Sequence, residues 1–111
     1  MSFPISSEPF ARHARFEGVF LRPVVTAADS TKLASVEALV VPDHLIDTHV
    51  HATSDEHFFF IDGAGEVFDG TSWQPVASGD ALTVPQGTPH AVRCLGTRPL
   101  HYLATYCPPL T

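Results

Sequence analysis

The chain predicts an all-β fold, a barrel or sandwich built as one domain. Three observations lead there. Short runs rich in Val, Ile, Phe, Tyr and Thr recur along the sequence, each bounded by Gly, Pro, Asp or Asn-like turn chemistry. Ten Pro and seven Gly in 111 residues leave little room for long helices. No helical periodicity, internal repeat, low-complexity run or linker interrupts the pattern, and roughly nine short strands of this kind suit a barrel or sandwich.

Taken in order, Met1 to Arg15 holds Pro4 and Pro9 and reads as an N-terminal arm, with residues 16–111 as the barrel. Phe16 to Thr26 is a strand interrupted at Pro23, Ala27 to Leu33 a polar turn, and Ser35 to Val41 a second strand. Pro42-Asp43 turns the chain into Leu45 to His51. His57 to Ile61 contains Phe58, Phe59, Phe60 and Ile61 in succession, so both faces of that strand need cover. Alternation from Glu56 sends 56, 58 and 60 inward and 57, 59 and 61 outward. Asp62-Gly63-Ala64-Gly65 is a tight turn whose glycines permit positive φ. Glu66 to Phe68 and Thr71 to Val76 form a hairpin around Asp69-Gly70. Gly79-Asp80 turns into Ala81 to Val84, and Pro85-Gln86-Gly87-Thr88-Pro89 is a rigid loop delivering His90. His90 to Leu95 and Leu100 to Tyr106 are the last strands.

Composition narrows the function. A net charge of −6, with twelve acidic and six basic residues, provides no basic patch for nucleic acid or an anionic membrane. The N-terminal stretch carries Glu8, Arg12, Arg15 and Glu17 without an unbroken apolar run, so it reads as neither signal peptide nor anchor. Two cysteines, Cys94 and Cys107, are too few for a disulfide framework. A cytoplasmic location is the expectation.

The chemistry concentrates between His49 and His90. His49 and His51 are two apart, so on a strand both imidazoles share one face, about 6–7 Å apart along it. Glu56 follows a short polar turn and His90 arrives from far along the chain. Three nitrogens and one carboxylate oxygen form a ligand set suited to a first-row transition metal. His44 has the opposite parity to His49, and His57 must point away from whatever Glu56 faces; both read as solvent or interface residues. Cys94 reads as an inward core filler, with a thiol near the metal as the alternative. Tyr102 and Tyr106 share a parity, and read as aromatic packing at the rim or as phenols able to bind substrate or give a proton. Asp47 shares the parity of the histidine pair and reads as an acceptor orienting an imidazole, or as a rim carboxylate in water.

The ordered combination resembles a known family. His49-x-His51-x4-Glu56-x6-Gly63 is similar to the first signature motif of the cupins, and Gly79-x5-Pro85-x-Gly87-x2-His90 to the second. The 15 residues from Ala64 to Ser78 between them match the compact spacing of small single-domain cupins. The resemblance implies a double-stranded β-helix (jelly roll) and His49, His51, Glu56 and His90 as ligands of one divalent transition metal: Fe, Mn, Ni, Co, Zn or Cu. Two positions depart from the pattern. Asp43 stands where the first motif usually opens with Gly, and Cys94 where the second closes with Asn. Neither is a ligand position, so the departures touch the pocket rather than the metal.

The expected function is a metal-dependent enzyme of oxygenase, isomerase or epimerase, or lyase type, acting on a small organic acid or sugar-derived substrate. The alternative is a non-catalytic binding or sensing module with a metal-anchored ligand. No catalytic residue beyond the ligands is assigned. A homodimer is expected, because Phe59 and Ile61 side by side, with Phe3, Ile5 and Phe10 of the arm, call for cover.

Overall fold

The structure, a computed structural model, describes residues 2, 3, 5 and 7–110. Met1, Pro4, Ser6 and Thr111, which fall within the predicted arm and barrel, lie outside the described residues. Among the described residues ten strands follow one another: β1 (Ala11–Arg12), β2 (Val19–Val25), β3 (Ala34–Val40), β4 (Leu45–His49), β5 (Asp55–Asp62), β6 (Ala64–Phe68), β7 (Trp73–Ala77), β8 (Ala81–Val84), β9 (His90–Cys94) and β10 (Leu100–Cys107). They pair antiparallel into a six-stranded sheet, β1-β2-β3-β10-β5-β8, and a four-stranded sheet, β4-β9-β6-β7. Consecutive strands repeatedly change sheet, which winds the chain into the double-stranded β-helix the motifs implied. Among the described residues there is no helix long and apolar enough to cross a membrane.

Alternation along β5 decides what the core is. Glu56, Phe58 and Phe60 are buried, while Phe59 and Ile61 are each 42% exposed on the outer face. Phe58 and Phe60 stack at 5.9 Å between ring centroids, and Tyr102 of β10 packs on both at 5.2 and 5.5 Å. Burying each ring contributes about 1.5–3 kcal/mol. Val19, Val40, Val92 and Leu100 complete the interior between the two sheets.

Several boundaries differ from the sequence expectation for local reasons. Pro23 does not end its strand; the register of β2 on β3 shifts between Pro23 and Val25 instead, which spares the missing N–H a ladder partner. Thr71 and Ser72 leave β7 because their backbone N–H groups donate to the Asp69 carboxylate. Gly63 alone takes a positive φ in the turn after β5. Gly65, expected in that turn, lies inside β6, where a Cβ would sit 2.3 Å from the Arg93 carbonyl oxygen of β9. It is a close-approach glycine, not a turn glycine. β4 stops at His49, so His51 lies beyond the strand. Its carbonyl accepts from the Gly87 N–H at 2.8 Å, tying it to the Pro85–Pro89 loop.

Candidate metal centre

One end of the barrel brings four chain segments together. His49 ends β4 and is the register partner of His90 at the start of β9. Glu56 lies near the start of β5, opposite Tyr106 of β10. The two sheets face each other here, so the histidine pair from one and the glutamate from the other meet across the interior. Each of His49, His51, Glu56 and His90 offers an atom, and these atoms all lie within 4.8 Å of one another. The structure therefore brings together all four residues the sequence singled out.

Hydrogen bonds at the far side of each ring set which nitrogen faces inward. The Nδ1–H of His49 donates to the Asp47 backbone carbonyl at 2.8 Å, and that of His90 to the Thr88 carbonyl at 2.9 Å. Nε2 of both rings is thereby turned to the cavity. His90 Nε2 lies 2.9 Å from Glu56 Oε1. His51 Nε2 is buried at 3.2 Å from the same oxygen but without hydrogen-bond alignment, and has no hydrogen-bond partner.

A buried ring nitrogen with no hydrogen-bond partner is costly unless something else satisfies it, and a cation does so when the ring turns its lone pair inward. The donor set fits a divalent transition metal in number, softness and spread.

Burial pushes the Glu56 carboxyl up, but the His51 and His90 imidazoles more than offset it and hold it below its usual value. Burial pulls His90 down, and its bonds to Glu56 and the Thr88 carbonyl leave it raised overall. His49 is lowered, first by burial and further by the two neighbouring histidines. Without an ion, then, His90 keeps its proton to higher pH than an ordinary imidazole, and His49 gives its proton up at lower pH.

Above the cluster opens a cavity of about 390 Å³, walled by Leu21, Val36, Ile46 and Val92 and reaching Tyr102 and Tyr106. Tyr106 packs edge-on against His51 at 5.3 Å. Burial keeps both phenols protonated far above neutral pH, Tyr102 first of all because it is wholly enclosed.

The remaining candidates sort clearly. His57 is exposed and pairs with Thr83, and His44 bonds the Pro42 carbonyl, both away from the cluster. Cys94 is buried at the opposite end of β9 from His90. Its thiol donates to the Arg98 carbonyl and it does not line the cavity, which matches the core-filler reading. Asp47 does orient an imidazole, but through its backbone carbonyl; its carboxylate caps the Thr48 N–H at 2.7 Å. Sequence reasoning missed His13, Arg15 and Phe16, which line the cavity mouth from the segment joining β1 to β2. Their signal is Gly18, whose φ of +72° marks a closed turn in a stretch expected to be strand, so β2 begins only at Val19.

Comparison with known proteins agrees with this architecture. A family model described as Cupin domain matches residues 36–106. Uncharacterized protein MJ1618 of Methanocaldococcus jannaschii is 31% identical over 78 residues, 70% of this chain. The match spans 62% of that relative's own length. The polyketide cyclase RemF of Streptomyces resistomycificus superposes with a TM-score of 0.83 at 16% identity, over 96% of this chain and 80% of that one. Oxalate decarboxylase of Lactobacillus farciminis, in a formate complex, superposes with a TM-score of 0.77 at 19% identity, over 86% of this chain and 30% of that one. At such identities the two structures speak for the fold alone. The family match covers most of the chain and both motifs: the protein belongs to the cupin domain family.

Proposed function

We propose that His49, His51, Glu56 and His90 ligate one divalent transition metal and that the chain is a metal-dependent enzyme acting on a small organic acid or sugar-derived molecule, of oxygenase, isomerase or epimerase, or lyase type. The observation that carries this is the partnerless Nε2 of His51, buried within the four-residue cluster at the floor of an apolar cavity. When bound, such an ion supplies Lewis-acid polarisation and a template for chelating oxygens. The chain's own residues do the rest. Glu56 sets one negative charge against the cation, the Asp47 and Thr88 carbonyls fix two of the imidazoles, and the apolar walls keep water from the ligand. The names of two fold neighbours, a polyketide cyclase and an oxalate decarboxylase, support a small-molecule reaction without choosing one.

A second reading has an observation of its own. Tyr102 and Tyr106 stay protonated, so neither phenol serves as a base, and a metal-anchored binding or sensing module fits that inventory. Incubating metal-loaded protein with a panel of small hydroxy, keto and dicarboxylic acids separates the two. Turnover that disappears after chelation and returns with metal supports the enzyme; binding of panel members without conversion supports the module.

The same reading includes a cytoplasmic homodimer formed through the outer face of the six-stranded sheet, with the part of the 1–15 arm that precedes the Ala11–Arg12 pairing crossing to the partner. Phe59 and Ile61 are exposed together there, Phe3 and Ile5 are 80% and 90% exposed, and both cysteines are free. Sedimentation at micromolar concentration is the check: wild type should run as a dimer and Phe59→Asp as a folded monomer. A monomeric wild type would end the dimer proposal.

A further inference from the structure

We propose that Arg15 is a carboxylate anchor at the cavity mouth, so that the ligand is a small acid with chelating oxygens at one end, an apolar body and a carboxylate at the other. The inference deepens the proposed function and rests on it for the chelated end.

Among the described residues, Arg15 is the one Arg or Lys lining the cavity. Arg22, Arg93 and Arg98 each pair with a carboxylate, whereas Arg15 has no such partner among the described residues. Its guanidinium lies 4.9 Å from the centre of the Phe16 ring, and that ring lies 6.5 Å from the ring of His49. One aromatic side chain therefore separates the cation from the histidine cluster. Between the two polar ends the lining includes Leu21, Val36, Ile46 and Val92, which offer a ligand's middle apolar contact, with Tyr102 and Tyr106 beside them.

Arg15 is exposed, and an exposed arginine on a free tail would be solvated and aimless. This one sits on a built loop. β1 pairs with β2 through Ala11–Leu21 and Arg12–Phe20, making the segment between them a hairpin connection. Inside it the His13 ring accepts at Nδ1 from the backbone N–H groups of Arg15 at 3.0 Å and Phe16 at 3.3 Å, and the His13 N–H donates to the Val19 carbonyl at 2.8 Å. Gly18 closes the loop at φ +72°, with the His44 ring filling the space a Cβ would need, 2.2 Å away. The loop thus holds the Arg15 backbone in place, with its guanidinium over the Phe16 ring, which lowers the ordering cost of binding.

A guanidinium fork matches a carboxylate with two parallel N–H···O bonds. A carboxylate suits the site better than a phosphate dianion, because only one unit of positive charge stands at this mouth. His13 adds none: burial and the nearby Arg15 both hold its imidazole towards the neutral form.

The test uses the full chain loaded with cobalt(II), and two probes of the same shape. These are 3,4-dihydroxyphenylacetate, with a catechol to chelate and a carboxylate to reach Arg15, and its neutral amide, 3,4-dihydroxyphenylacetamide. Affinities are read from the cobalt visible spectrum and from calorimetry. Wild type should bind the acid about tenfold more tightly than the amide. Arg15→Gln should erase that preference while leaving amide affinity unchanged, and Arg15→Lys should keep part of it. Equal binding of acid and amide by wild type, or an acid preference that survives Arg15→Gln, overturns the proposal and leaves the metal reading standing. Arg15-dependent binding of the acid to chelator-treated protein would keep the anchor and overturn the metal-anchored reading. Failure of both probes to bind the cobalt protein would overturn both.

Discussion

Glu37 and Glu56 both lie on the six-stranded sheet, and both meet histidine, yet their surroundings make them opposites. Glu37 faces outward from β3 and is held by Arg22 and by His101 Nε2, with Phe10 packed over the Arg22 guanidinium at 4.9 Å. Its charge is answered within the protein, and burial, which raises its pKa, is outweighed by those two partners. Glu56 faces inward from β5 and meets His51 and His90 but no arginine. Three imidazoles with inward nitrogens crowd around it, and one of them, His51 Nε2, finds nothing to bond. The outer carboxylate is answered by charged partners, whereas the inner cluster leaves one buried ring nitrogen without a partner, an arrangement compatible with a divalent cation.

The largest way to break that contrast is to neutralise each glutamate in turn. Glu56→Gln should lower metal affinity by at least about 100-fold, since even residues that only support ligands are worth about 10–100-fold. Glu37→Gln should leave affinity unchanged. Calorimetric titration of each apo-protein with cobalt(II) or zinc(II) reads both numbers, and equal losses would erase the distinction.

The next effect is in pH. In the metal-free protein His90 is raised above its ordinary value of 6.5, so its proton must leave before Nε2 can bind an ion. Affinity should therefore climb by about tenfold per pH unit below the folded pKa of His90 and flatten above it. His49, lowered from 6.5 first by burial, sheds its proton at lower pH than an ordinary imidazole, so its own contribution to the slope falls lower. Repeating the titration in buffers of different ionisation heat should show protons released on metal binding at pH 6.5; release of none would mean His90 is not a ligand.

The smallest effect belongs to the outer cluster. Glu37→Ala should cost no more than about 1 kcal/mol by urea unfolding, as partly exposed ion pairs do. Phe58→Ala, on the wall next to Glu56, should cost about 3–5 kcal/mol by the same measurement.

Much of this was readable in the residues, because strand alternation is a strict rule once a strand is located. Glu56, Phe58 and Phe60 inward, with Phe59 and Ile61 outward, follows from period two alone. The clustering of His49, His51, Glu56 and His90 was readable because histidines and a glutamate at this motif spacing converge on one end of such a barrel. What escaped was whatever depends on backbone rather than side-chain identity. Asp47 serves through its carbonyl, a group every residue has. His51 reaches the cluster from a loop bonded to Gly87, where strand parity says nothing. Arg15 and Phe16 arrive at the mouth through β1–β2 pairing of only two residues a side, too short to show in composition.

The central claim is that the inner cluster, and no other group of histidines, holds one metal ion. Elemental analysis of protein reconstituted with zinc(II) or cobalt(II) and freed of excess tests it most directly. Wild type and His57→Ala should each retain about one ion per chain, and the His49→Ala, His51→Ala double variant should retain essentially none while keeping its β-sheet circular dichroism. Full occupancy in the folded double variant, or none in wild type, would contradict the account.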